Sequence, residues 1–168
     1  MRHTTGFALG LFLASLSLAG LSLAGLSSLA FASTLSNGLD AAARARLVGD
    51  HALTLQWLGW GDLSRAGKVV VEDHDDTLSL SGEQNGEGEN AGDYVRLSGK
   101  IVSASRDGFV FVGDITTRVN HIADGAECKR SGTFTFKTRG ARKYWRMQEM
   151  TNPCDPVTDY VDVYFRGI

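Results

Sequence analysis

Asp73-His74-Asp75-Asp76 groups side chains that commonly hold metal ions. In extended chain they alternate, so His74 and Asp76 point one way and Asp73 and Asp75 the other. Two ligands per face do not complete a site, because a hard cation takes about six or more oxygens. Glu87 and Glu89 follow in a glycine-rich loop without the ligand spacing of a calcium loop. The tetrad therefore reads as a solvated turn. Nucleophile chemistry has less support. The chain holds no Gly-x-Ser-x-Gly elbow and no His-Glu-x-x-His pair. His51 sits at a predicted helix end and His121 at a strand end, where structural roles suffice. No catalytic, cofactor-binding or metal-binding residue is assigned, and no cofactor is expected.

Charge layout gives a clearer signal. Residues 72–93 carry eight acids and no Lys or Arg. Residues 129–146 carry seven cations and no acid: Lys129, Arg130, Lys137, Arg139, Arg142, Lys143 and Arg146. The basic residues fall on a predicted hairpin whose strands also bear Phe134, Phe136, Tyr144 and Trp145. A basic strand pair with interleaved aromatics can hold an acidic protein, a phosphorylated lipid head group or a polyanion. Those seven cations are the candidate contact residues. The competing reading is a solvated face that keeps a sheet soluble, or one that meets the acidic stretch.

The elements that position these residues are mostly strands. Asn37 can cap a short helix over 39–48, with Leu39, Ala43 and Leu47 forming an apolar stripe and Gly49 stopping it. From Leu53 the apolar period becomes two. Strands are predicted at 53–60, 68–72, 77–83, 94–103, 109–121, 129–137, 143–150 and 159–165. Ser105-Arg106-Asp107-Gly108 and Thr138-Arg139-Gly140-Ala141 read as tight hairpin turns. Both prolines, Pro153 and Pro156, fall between the last two strands. Short links make sequential strands antiparallel neighbours. The expected fold is all-β and mainly antiparallel: an up-and-down barrel of about eight strands with a short N-terminal helix. A β-sandwich is the alternative. With Trp57-Leu58-Gly59-Trp60 on the predicted first strand and a meander after it, the pattern resembles the calycin-type barrels in architecture. No motif carries individual residues across.

The N-terminus indicates where such a domain works. Arg2 and His3 precede a Leu-rich stretch with no charged side chain from residue 4 to residue 39, and Ala30-Phe31-Ala32 offers a small-x-small cleavage site. The expected organisation is a cleaved signal peptide at 1–32, a linker with the short helix at 33–52 and a barrel domain at 53–168. The mature chain would then carry no transmembrane segment and work in the periplasm or outside the cell. Net charge is −2, or −3 once Arg2 leaves with the peptide. An exported chain that is acidic overall is not expected to bind nucleic acid.

The two cysteines, Cys128 and Cys154, are expected to pair in an oxidising compartment. A turn centred on Arg139-Gly140 sets Cys128 opposite residue 151 or 152, with Cys154 just beyond. The leading functional expectation is an exported, non-catalytic binding module that uses a barrel interior or the basic hairpin surface. The alternatives are a secreted inhibitor or envelope interaction protein acting through loops, and an enzyme on a β scaffold.

Overall fold

Alternation along each strand sends every second side chain to the same face. In this chain the inward set is apolar and large enough to fill a closed cylinder. The structure is a computed structural model that describes residues 39–59, 61–75 and 77–168. These belong to one compact unit, Thr34–Ile168. The predicted signal peptide, the Asn37 cap, Trp60 and Asp76 lie outside the described residues.

Among the described residues a helix, α1 (Ala41–Leu47), precedes eight strands: β1 (Gly49–Leu55), β2 (Gly67–His74), β3 (Thr77–Asn85), β4 (Tyr94–Ser105), β5 (Gly108–Arg118), β6 (Cys128–Lys137), β7 (Tyr144–Met147) and β8 (Val161–Tyr164). Each strand pairs antiparallel with the next. β1 pairs with β8 through Leu53↔Val163 and Leu55↔Val161, which closes the barrel. Closure removes the exposed edges that an open sheet would present to other chains.

Leu53, Leu55, Leu78, Leu80, Phe111, Ile115, Phe136 and Met147 are completely buried inside. Burying each contributes about 1.5–3 kcal/mol relative to an exposed side chain. The wall has no Cβ where the Phe111 ring sits. Gly99 faces Gly113 across β4 and β5, and a Cβ on either would come within 2.7 Å of the Phe111 ring. Two glycines thus make room for one phenylalanine.

α1 covers one end of the barrel. Its N-cap is Asp40, whose Oδ1 accepts from the Ala42 backbone N–H at 3.1 Å. The predicted stripe is buried, with Leu39, Ala43 and Leu47 joined to the core. Arg44 ties the helix to the β2–β3 hairpin through Asp73.

Several predicted boundaries shift. β1 starts at Gly49 and ends at Leu55. The predicted strand continuation at Trp57 is instead a 3-10 turn, Gln56–Leu58, ended by Gly59 in the left-handed region at φ 118°. The Arg106-Asp107 hairpin turn forms as expected, since Ser105 faces Gly108. The second predicted turn is longer than expected. Phe136 faces Met147 and Lys137 faces Arg146, so the connection occupies 138–143. That register lies three or four positions from one centred on Arg139-Gly140. β7 also ends at Met147, ahead of the predicted 150: the Gln148 N–H still donates to the Thr135 carbonyl of β6 at 2.8 Å, and the chain beyond it crosses the barrel end.

Candidate functional site

The seven cations of 129–146 do not form one surface. Strand parity divides those on β6 and β7. Lys129 and Lys137 point out from β6, while Arg130 shares the inward face with Cys128, Phe134 and Phe136. Lys129 pairs on the surface with Asp114 at 2.9 Å, and Ser131 also donates to that carboxylate. These two bonds hold the Asp114 carboxyl below its usual range, with the Ser131 contribution the larger.

Arg130 is buried at the end of the barrel crossed by the β7–β8 connection. Its Nη2 lies 3.2 Å from Asp159 Oδ2, and its Nη1 donates to the Glu149 carbonyl at 3.3 Å. Asp159 also accepts from Trp57 Nε1 at 3.1 Å and from Asn152 Nδ2 at 3.0 Å. Burial pulls the Arg130 guanidinium below its usual range, and Asp159 opposes that pull. The Cys128–Cys154 disulfide sits in the same cluster, with a Cα–Cα distance of 6.0 Å. Asn152 Oδ1 accepts from the Cys154 backbone N–H at 2.8 Å. This network fastens the connection across the barrel end.

Arg146 is also withdrawn from solvent, on the outer face of β7. It forks onto Asp162 of β8, with Nε to Oδ1 and Nη2 to Oδ2 both at 2.7 Å. Its guanidinium lies 4.2 Å from the Tyr160 ring centroid and 5.2 Å from that of Tyr144. The bond to Asp162 raises Arg146 above its usual range. Burial pushes the Asp162 carboxyl up, against the pull of Arg146. The desolvation falls mainly on the acid, because Asp162 is fully buried while the Arg146 side chain keeps 11% exposure.

The remaining candidates, Lys137, Arg139, Arg142 and Lys143, are exposed on or beside the 138–143 loop. Among the described residues no carboxylate forms an ion pair with any of them. Two cations outside the predicted run join them. Arg46 of α1 donates from Nη1 to the Arg106 carbonyl at 2.7 Å, and Arg106 forms the β4–β5 turn. One cleft beside the loop is lined by Arg46, Arg106, Asp107, Arg142, Lys143 and Phe165, among others. A second, on the other side of Arg142, is lined by Arg139, Arg146, Gln148 and Tyr160. Sequence reading missed Arg46 and Arg106, since both lie outside the basic run, in segments brought beside it only by the fold.

The acidic stretch does not meet the basic one. Asp73 pairs with Arg44, Glu83 with Arg96, and Glu87 with Arg65. Antiparallel order gives the barrel two ends of different charge. The connections at the disulfide end are 56–66, 86–93, 119–127 and 148–160, and they carry nine carboxylates against one cation, Arg65. The segments at the other end are 39–48, 75–76, 106–107, 138–143 and 165–168, and they carry seven cations against four carboxylates.

Among the described residues no group of three or more His, Cys, Asp and Glu side chains is placed to hold a metal ion. No described helix is long and apolar enough to cross a membrane. Residues 36–165 match the model of the PM1083 family. The chain is 38% identical over 120 residues to "Uncharacterized protein PM1083" of Pasteurella multocida (strain Pm70), covering 71% of this chain and 74% of that protein. No solved structure matches. The family similarity runs from before α1 to the residue after β8 and so takes in the entire barrel: this chain belongs to the PM1083 family.

Proposed function

We propose that this chain is an exported, non-catalytic binding module that contacts an anionic partner through the basic end of its barrel. The observation that carries this reading is how the cations are placed. Arg130 and Arg146 are neutralised by buried carboxylates, and Lys129 by a surface one. Arg139, Arg142 and Lys143 project from one loop next to Arg106, with no carboxylate paired to them among the described residues. Like charges held together in this way attract anions and are screened by salt. The packed interior, with eight inward side chains completely buried, favours this outer surface over a ligand inside the barrel.

Export rests on the leader at 1–32 and fits a domain stapled by a disulfide. The family match begins at residue 36, beyond the leader. The intact mass of the protein recovered from the exported fraction should correspond to 33–168. A dominant species that keeps residues 1–32 and partitions into membranes would sink that part of the reading.

The contact itself is tested by replacing Arg139, Arg142 and Lys143 together with Gln. Retention on a polyanion column should fall and lose its salt dependence, while melting temperature stays close to that of the parent, because exposed charges contribute little to stability. Equal retention of parent and variant across salt would return these residues to the solvated-face reading.

A further inference from the structure

We infer that the cleft between α1, the β4–β5 turn and the 138–143 loop binds a phosphate monoester. This rests on the anionic-partner reading above and narrows it to one site and one ligand class. Three segments far apart in sequence converge here, bringing Arg46, Arg106, Arg142 and Lys143 around a cleft of about 270 Å³. The lining contains one carboxylate, Asp107. Four cations against one acid exceed what a monoanion would balance and suit a dianion.

Arg46 is already positioned. Its guanidinium lies 5.3 Å from the Phe165 ring centroid and 5.7 Å from that of Trp145. Its Nη1 is bound to the Arg106 carbonyl, which leaves further guanidinium N–H donors for a ligand. A planar guanidinium held against aromatic faces loses little freedom on binding. The same bond fixes the turn that carries Arg106.

A phosphate monoester has three terminal oxygens. It can therefore accept from α1, the turn and the loop at once, with the Arg forks in bidentate geometry and Lys143 as a point charge. A carboxylate offers two oxygens in one plane and cannot face all three segments.

Calorimetric titration of the protein as the cell produces it, with inorganic phosphate and with acetate, tests the site. Phosphate should bind saturably and acetate should not. Arg106→Gln should weaken phosphate binding about tenfold or more, the usual loss for a charge-assisted hydrogen bond. Arg106 is exposed, so this variant is expected to fold. Lys68→Gln, which removes a surface cation of β2 paired with Asp50 and outside the cleft, should leave phosphate affinity unchanged.

Co-sedimentation with phosphatidylcholine vesicles, with and without phosphatidic acid, separates the two sources of the group. Binding only to the vesicles with phosphatidic acid, weakened by Arg106→Gln, identifies a lipid head group. Phosphate binding without vesicle binding identifies a soluble ligand. Retention on a polyanion column with no phosphate binding, or phosphate binding indifferent to Arg106→Gln, overturns the cleft and leaves the basic end as a general surface. Loss of both column and phosphate binding overturns both readings.

Discussion

At the disulfide end the β7–β8 connection lies across the barrel, and its Asp159 gathers Arg130, Asn152 and Trp57. At the other end α1 lies across the barrel, and the cations of the 138–143 loop face outward. Both ends are closed, but by different means. One is closed by a covalent link and a buried polar network. The other is closed by the apolar stripe of α1 and by charged side chains that reach backbone or carboxylate partners at its rim. A buried ion pair must be matched, because an unpaired charge there is costly to desolvate. An exposed cation has no such requirement and is available to bind something else. The contrast puts the covalent and buried ion-pair constraints at the disulfide end and leaves the proposed contact to the basic end.

The covalent link should show the contrast most strongly. Cys128 and Cys154 are 26 positions apart, and closing a loop of that size stabilises by about 3.5 kcal/mol on the chain-entropy model. Cys154→Ser should lower the melting temperature under oxidising conditions by about 10 °C or more. The double Cys→Ser variant should match the single one. Reduction should bring the parent to the same value. A parent insensitive to reductant would remove the disulfide end's special claim on stability.

Arg130 and Arg142 make the direct comparison, since they come from one basic run. Arg130→Met leaves Asp159 buried without its cation and should cost about 3 kcal/mol, towards the lower end of what breaking a buried pair costs, because Trp57 and Asn152 still donate. Arg142→Gln should change stability by no more than about 0.5 kcal/mol. Urea melts of the two variants settle the matter. Equal losses would mean that the division between structural and free cations is wrong.

The smallest expected effect concerns how α1 is held over the basic end. The Arg44 guanidinium holds the Asp73 carboxyl below its usual range. A carboxyl depressed in the folded state contributes stability that is present above its unfolded value and is lost as pH falls through the folded one. Acidification through and below the ordinary carboxylate range should therefore loosen the tie between α1 and the β2–β3 hairpin. Faster amide exchange across Ala41–Leu47 than in β5 at low pH would show this. The Asp73→Asn variant should exchange faster already at neutral pH and lose the pH response.

Much of the barrel can be read from local patterns. Leu39, Ala43 and Leu47 at four-residue spacing mark a helix that buries one stripe, and the structure buries it. Alternation around Phe134 and Phe136, and around Val161 and Val163, identifies the inner wall. Ser105-Arg106-Asp107-Gly108 identifies its hairpin. These signals are legible because helix and strand periodicity act between near neighbours in the chain. Trp57 was misleading because its parity continues the strand. The turn there is set by Gly59 and by the Gln56 amide, which donates to the Thr158 carbonyl and accepts from the Tyr160 N–H, about a hundred positions away.

The fate of each cation was outside the reach of local pattern. Chain order alone places seven cations within 129–146, several of them on strands, with a cysteine on either side of the hairpin. The matching of Arg130 and Arg146 by Asp159 and Asp162, and the placing of Arg46 and Arg106 beside Arg142 and Lys143, come from the closed fold. Charge pairing depends on distance in space. Closure of the barrel through β1 and β8 brings segments together that no spacing along the chain connects.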